Sequence, residues 1–247
     1  MYRTVFSILF LGHILGDFYF QTQKAAKLKE KSIKKALTHC ALYAFACFIV
    51  ILPAINKWLS LAAAFLSISH LIIDLFKCAI IRSFSKYKEK EPILYITDQA
   101  LHLICIIAAA IFVAANCNTL NVPYGIDYIF EVIGTGKSQA LSSLLLILLV
   151  WKPANITIKK LLASYKPEEE PENNADKNAG GFIGFLERIV ILLFLSIGQY
   201  SAIGLVLTAK SIARYNKISE DKQFAEYYLL GTLLSAAIAI FSYFVLF

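Results

Sequence analysis

Charged residues are scarce in this sequence of 247 residues. They make up 17% of it, against about a quarter of a soluble domain, while apolar residues make up 58%. Several apolar runs approach or exceed the roughly 20 residues that a helix needs to cross a bilayer. The composition therefore excludes an ordinary soluble fold. It predicts an all-α integral membrane protein that has the lipid bilayer as its partner.

The motifs of several protein classes are also absent. The sequence contains no nucleotide-binding glycine loop and no Ser-centred nucleophile elbow, which argues against an ATP-driven pump. No two of the five cysteines form a Cys-x-x-Cys pair, so we interpret them as small buried apolar side chains. The net charge of +7 comes largely from lysines in short loops, as expected for a membrane protein, and does not predict nucleic acid as a partner.

Six or seven apolar segments are predicted to be transmembrane helices. They cover residues 5–21, 36–52, 58–81, 93–115, 140–151, 182–208 and 224–247. Lysines are concentrated in the first and third loops, so the positive-inside rule predicts that these loops are cytoplasmic and that the N-terminus lies outside. The rule becomes ambiguous at the sixth segment, because basic residues flank it on both sides. Either that segment is re-entrant, or Lys210 and Arg214 are paired inside the protein.

Four regions follow from this pattern. They are a His/Asp membrane domain, a loop with the fifth segment, a flexible acidic linker, and a pair of C-terminal membrane helices. These regions are residues 1–115, 116–151, 152–181 and 182–247. The first region is predicted to consist of two helical hairpins, 5–52 and 58–115.

Histidine and aspartate recur four residues apart in the first region. Three of the four histidines have an aspartate at this spacing, in the pairs His13–Asp17, His70–Asp74 and Asp98–His102. Residues at this spacing share one face of an α-helix. Such residues are costly inside a membrane and normally face a protein interior or a watery cavity. The fourth histidine, His39, lies near the start of the second segment.

The first two segments resemble the next two. LGHILGDFYF aligns with ISHLIIDLFK, and THCALY aligns with TDQALH. We therefore predict that the first hairpin is duplicated as the second, with the same orientation in the membrane. In all four segments the polar residues fall near the cytoplasmic end. They are predicted to form one cluster in the cytoplasmic third of a four-helix bundle.

Imidazole nitrogens and carboxylate oxygens from several helices are the ligands of zinc, manganese and iron centres in bundles. We predict a divalent metal site (Zn, Mn or Fe) with the ligands His13, Asp17, His70, Asp74, Asp98 and His102. His39 is a further ligand or the catalytic general base. Candidate groups around the ligands are Gln21, Tyr43 and Gln99. Lys77, near Asp74, is predicted to snorkel to the cytoplasmic interface rather than to pair with Asp74.

Three functions stay open for this cluster. Metal-activated water would support hydrolysis of a membrane-associated or phosphorylated substrate, either a small molecule or a lipid-linked one. The same residues could instead form the proton or cation pathway of an ion or small-solute transporter. A membrane scaffold with a structural polar network is the third possibility. A cavity open to both sides of the membrane would favour transport, and one open only to the cytoplasm would favour an enzyme.

The C-terminal region carries a second set of polar residues. Its members are Glu187, Arg188, Lys210, Arg214 and Glu226. One interpretation is an anion or lipid-headgroup site built on Lys210 and Arg214. The favoured interpretation is interfacial anchoring with Glu–Arg pairing.

The motifs taken together resemble a bacterial multi-pass membrane family known as domain of unknown function 3307. The resemblance rests on HxxxDxxxQ in segment one, on His39, on HxxxD and DQxxH in segments three and four, and on the tail LER–AKSIAR–EYxLxGTxxS. It extends over nearly the whole chain outside the acidic linker. It implies a protein of the bacterial inner membrane and no particular activity. The His/Asp pattern is more weakly similar to membrane-bound metal-dependent hydrolases, in which the six predicted ligands would form the site.

Overall fold

A computed structural model describes residues 1–21, 33–83, 91–120, 136–167 and 174–247, together with residues 123, 128, 132 and 134. Nine α-helices contain most of these residues, and no strand occurs in the ranges given. The predicted all-α fold is confirmed. The chain divides into two compact units, Met1–Leu145 and Leu146–Phe247.

The first unit is built on four helices. They are α1 (Tyr2–Ile14), α2 (Ile33–Ile51), α3 (Lys57–Ser83) and α4 (Glu91–Asn116). A π-helical turn, Leu15–Tyr19, extends α1. Both α1 and α3 pack against α2 and α4, so the four helices form a closed bundle.

One end of this bundle is apolar. Its buried core includes Val5 of α1, Ile51 of α2, Leu59 of α3 and Val113 of α4. These residues lie near the starts of α1 and α3 and near the ends of α2 and α4. The histidines and aspartates lie toward the opposite end of each helix, so the bundle has one apolar end and one polar end.

The distribution of side chains within the first unit fits a lipid environment. On α3, His70 and Asp74 are 0% and 1% exposed, whereas Ile72 and Phe76 are 62% and 66% exposed. A helix that buries its ionisable side chains and exposes its apolar ones is expected where the surroundings are lipid. Five helices in the described ranges are long and apolar enough to cross a membrane: Lys34–Ala54, Lys57–Ile81, Glu91–Asn116, Lys137–Leu161 and Lys222–Leu246. The chain is therefore a membrane protein.

The second unit contains the end of α5 (Lys137–Leu161) and four further helices. These are α6 (Asn174–Ser196), α7 (Tyr200–Ala213), α8 (Tyr215–Glu220) and α9 (Lys222–Leu246). Helix α6 packs against α7 and α9, and α8 packs against α9. Asp221 caps the start of α9, where its carboxylate accepts a hydrogen bond from the Phe224 backbone N–H at 3.0 Å.

The sixth predicted segment, residues 182–208, is two helices rather than one. Gly198 has φ +71°, a conformation that glycine adopts without strain, and the chain turns back there between α6 and α7. The Lys210 ammonium on α7 then lies 2.7 Å from the Glu187 carboxylate on α6. The structure thus shows a chain that turns back within the predicted sixth segment, and it also shows a paired Lys210.

The predicted bounds of the flexible linker, residues 152–181, are wrong at both ends. Helix α5 continues to Leu161 through Pro153, and α6 begins at Asn174, while residues 168–173 lie outside the described residues. Proline lacks an N–H and weakens the hydrogen bonding of the preceding helical turn. Arg188 donates from Nε to the Val150 carbonyl, in the turn before Pro153, at 2.6 Å.

Candidate metal centre

The polar end of the first unit brings together all seven predicted histidines and aspartates. The members of this His/Asp cluster are His13, Asp17, His39, His70, Asp74, Asp98 and His102. Six of them are at most 6% exposed, and the Asp17 side chain is 10% exposed. The cluster is therefore an interior feature to which all four helices contribute.

Three ligand atoms form a small triangle at the centre of the cluster. The Nε2 atoms of His39 and His70 are 3.1 Å apart, and each lies 3.5 Å from Oδ2 of Asp74. In a tetrahedral zinc site with bonds of about 2.0–2.1 Å, neighbouring ligand atoms are about 3.3 Å apart. The triangle therefore has the dimensions of one face of a tetrahedral site.

Asp17 lies beside this triangle. Its Oδ1 is 3.3 Å from His39 Nε2, and its Oδ2 accepts a hydrogen bond from the Gln99 amide at 3.0 Å. It sits in the π-helical turn rather than in a regular α-helix, so the α-helical spacing assumed for His13 and Asp17 was wrong. Gly16 allows this turn to approach α2 closely, because a Cβ there would lie 2.8 Å from the Tyr43 ring. Such π-helical turns are frequent at functional sites.

Four overlapping sets of side chains have ligand atoms within 4.8 Å of one another. They are Asp17–His39–His70, Cys40–His70–Asp74, His13–His70–His102 and Asp74–Asp98–His102. His70 belongs to three of the sets and is thus the central residue. Cys40 was interpreted from the sequence only as a small apolar side chain. Its position next to His39 is the one signal that could have identified it.

Tyr43 and Gln99 hold the cluster in place, as their predicted position around the ligands suggests. The Tyr43 ring stacks on the His70 ring with centroids 3.7 Å apart, and its hydroxyl lies 3.4 Å from His13 Nδ1. The Gln99 carbonyl oxygen lies 3.4 Å from His13 Nε2, while its amide nitrogen donates to Asp17. These contacts fix the orientation of two imidazoles and one carboxylate.

Lys77 takes a position that the sequence did not predict. Its ammonium forms an ion pair with Asp98 at 2.8 Å, and its side chain is 19% exposed. It pairs with Asp98 rather than with Asp74, because α3 and α4 run antiparallel and residue 77 lies opposite residue 98. The Lys77–Asp98 pair supplies one fixed positive charge to the cluster.

Carboxylates outnumber ammonium groups among the described residues of the cluster. There, three carboxylates and one ammonium give a formal charge of −2 when the four imidazoles are neutral. Several buried atoms of these side chains also have no hydrogen-bond partner in the part of the chain that the structure describes: His39 Nδ1, His70 Nδ1, Asp98 Oδ1 and His102 Nε2, the last two 3.7 Å apart. Gln21 Nε2 is a further buried atom of this kind. Unpaired polar atoms are costly in apolar surroundings. A divalent cation would engage imidazole and carboxylate atoms that lie within 4.8 Å of one another, so the arrangement can hold a metal ion.

The second predicted set of polar residues is only partly brought together. Glu187 pairs with Lys210, and Arg188 is buried and donates to uncharged acceptors, while Arg214 and Glu226 are exposed. The favoured Glu–Arg pairing is replaced by this Glu–Lys pair. Sequence reasoning missed Asn155 and Ser235, which accept hydrogen bonds from Arg188.

Comparison with protein families gives one match. The model of a family described as "Protein of unknown function (DUF3307)" matches residues 5–127. This range contains most of α1, all of α2 to α4 and the whole His/Asp cluster, and it ends before the C-terminal motifs. The comparisons with curated proteins and with solved structures gave no match.

Proposed function

The chain belongs to the DUF3307 family through its N-terminal half, and we propose that the His/Asp cluster in that half binds one divalent metal ion. The observation that carries the proposal is the triangle of His39 Nε2, His70 Nε2 and Asp74 Oδ2, with sides of 3.1–3.5 Å. Among the described residues, the formal charge of −2 matches one divalent cation.

The proposed ligand set leaves one position open. Catalytic zinc sites keep three protein ligands and a fourth position for water. His39, His70 and Asp74 would be the three ligands, which makes His39 a ligand rather than the general base. A divalent ion activates a bound water for attack on an ester.

Asp17 is the residue that would accept the proton. Its Oδ1 lies next to the triangle, and the Gln99 amide holds its other oxygen. It is also the most exposed of the seven cluster residues, so it marks the side from which a substrate would approach. Lys34 and Lys35 are exposed at the start of α2, at the same end of the bundle, where they attract anionic groups. These features favour hydrolysis of a phosphorylated, membrane-associated substrate.

Phosphate release by the full-length protein tests the hydrolytic role. The detergent-purified protein would be given zinc, manganese or iron and then either phosphatidic acid in mixed micelles or a soluble aryl phosphate. We expect metal-dependent phosphate release that is at least about 100-fold slower in Asp17→Asn, the usual scale for losing a general base. Metal content should be unchanged in that variant. Glu220→Gln, an exposed acid on α8, is the matched control.

Two results would contradict hydrolysis. One is an Asp17→Asn variant that is as active as the parent. The other is metal-loaded parent protein that releases no phosphate from either substrate. In the second case the metal site would stand, and metal-ion flux into vesicles would test the transport alternative.

A further inference from the structure

Arg188 is the most unusual buried residue of the second unit. It is 1% exposed, and its guanidinium donates to the Val150 carbonyl at 2.6 Å, to Asn155 Oδ1 at 2.6 Å and to Ser235 Oγ at 2.9 Å. All three acceptors are uncharged. The neighbouring carboxylate of Glu187 forms its ion pair with Lys210 instead.

Packing explains the hydrogen bonds of Arg188 but not its charge. Arg188 donates to the carbonyl of Val150, in the turn before Pro153. A neutral side chain could donate the same hydrogen bond. A buried guanidinium carries a large desolvation cost that hydrogen bonds to neutral groups offset only in part. The second unit therefore has an excess of buried positive charge.

Two buried hydroxyl groups lie on the helix that contacts Arg188. They are Tyr228 Oη and Thr232 Oγ1 of α9, and neither makes a hydrogen bond of good geometry in the described part of the chain. Thr232 lies one helical turn before Ser235, which accepts from Arg188, and Tyr228 lies one turn before Thr232. The Tyr228 ring is 5.3 Å from the Lys210 ammonium, which is paired with the Glu187 carboxylate, and Ser211 lies near the Tyr228 hydroxyl. Two hydroxyl donors thus follow the face of α9 that contacts Arg188.

We infer that this part of the second unit binds a phosphate group. The guanidinium of Arg188 would supply the charge, and the hydroxyls of Thr232 and Tyr228 would donate to the phosphate oxygens. Arginine suits this role because its planar fork matches the oxygens of phosphate. We name these three residues the Arg188 site.

Glycines on α6 allow the Arg188 and Asn155 side chains to lie close to the helix. A Cβ at Gly184 would lie 3.3 Å from Arg188 Nη1 and 3.8 Å from Asn155 Oδ1, and one at Gly181 would lie 3.4 Å from Asn155 Nδ2. A larger residue at Gly181 or Gly184 would clash with the Arg188 and Asn155 side chains. The same phosphate chemistry is offered by an anionic phospholipid headgroup and by free inorganic phosphate, so the experiment must separate the two.

Thermal unfolding of the full-length protein in detergent tests the inference. Midpoints would be measured with added phosphatidylglycerol, phosphatidylcholine or inorganic phosphate. Phosphatidylglycerol, whose net negative charge complements Arg188, should raise the midpoint in a saturable way. Thr232→Val should weaken this binding about tenfold, the effect of losing a hydrogen bond to a charged group. Thr208→Val is the matched control, because Thr208 is exposed on α7 and bonds only to the Gly204 carbonyl.

Thr232→Val is informative because it removes no hydrogen bond from the ligand-free protein and should fold normally. Arg188→Gln should abolish binding, and Tyr228→Phe provides a second variant if Arg188→Gln does not fold. A saturable effect of inorganic phosphate that Thr232→Val weakens would assign the site to a free anion. Equal binding by the parent, Thr232→Val and Tyr228→Phe would overturn the inference, as would equal stabilisation by phosphatidylcholine.

Discussion

The two units bury charge of opposite sign. Among the described residues, the His/Asp cluster of the first unit has three carboxylates and one ammonium, while the Arg188 site of the second unit has a guanidinium to which no carboxylate is bonded. In both units the excess charge lies inside helices that expose apolar residues. Because such charge is costly there, its sign indicates the ligand that completes each site. The first unit is suited to a cation, and the second unit is suited to an anion.

The two sites also differ in how well they are satisfied without a ligand. Arg188 has three hydrogen bonds and supports the helix around Pro153, so its site has a structural role of its own. In the His/Asp cluster, the Nε2 atoms of His39 and His70 point at each other, and their Nδ1 atoms have no partner among the described residues. We therefore expect the first unit to depend on its ligand more strongly than the second.

The largest effect is expected at a ligand carboxylate. Asp74→Asn removes one corner of the triangle. Substitution of a residue that only supports the ligands lowers metal affinity about 10–100-fold, and Asp74→Asn should lower it further. Asp98→Asn, on the neighbouring helix, should stay within that range because Asp98 faces Lys77. Metal affinity measured by competition with a chelator compares the two. Equal losses of metal affinity in the two variants would contradict the assignment of the triangle as the ligand set.

An intermediate effect of opposite direction is expected at Lys77. Lys77→Met removes the ammonium that pairs with Asp98 and makes the charge of the cluster more negative. Metal affinity should rise about tenfold or more, since repulsion between the ammonium and the ion is lost. The same chelator competition measures it. Lys57→Met, an exposed lysine at the start of α3, is the control, and weaker binding in Lys77→Met would show that charge does not govern the site.

The smallest effect is expected from two glycines that border the two sites. A Cβ at Gly16 would lie 2.8 Å from the ring of Tyr43 and 3.0 Å from the Cα of Tyr43. Gly16→Ala should therefore destabilise the protein by about 1–3 kcal/mol. A Cβ at Gly184 would lie 3.3 Å from Arg188 Nη1 and 3.8 Å from Asn155 Oδ1, which is a milder contact than that at Gly16. Gly184→Ala should therefore change stability by less than about 1 kcal/mol. Thermal unfolding of both variants compares them, and a reversed order would be inconsistent with the packing described.

The existence of the cluster could be predicted because its signal is local. The four-residue spacing of histidine and aspartate and their depth in four segments are readable without a structure, and the structure places all seven residues together. The π-helical turn at Asp17 has no local signal in the sequence, and the close approach of Gly16 to Tyr43 involves another helix. The Lys77–Asp98 pair likewise depends on the register of two antiparallel helices.

The C-terminal half was less predictable, because its structure also depends on contacts between residues that are distant in the sequence. Proline and an acidic run suggested a linker from residue 152, but Arg188, 35 residues further on, supports the helix at Pro153. The turn at Gly198 lies in an apolar stretch long enough to be interpreted as one helix. The N-terminus outside and the bacterial inner membrane stay predictions.

Metal content is the most direct test of the metal centre. Elemental analysis would be applied to detergent-purified parent protein and to folded His70→Ala and His13→Ala variants, after supplementation with zinc, manganese and iron. We expect about one equivalent of one metal in the parent, none in His70→Ala, and bound metal with lower affinity in His13→Ala, because His13 lies outside the triangle. A parent protein without metal, or a folded His70→Ala variant that retains it, would contradict the account.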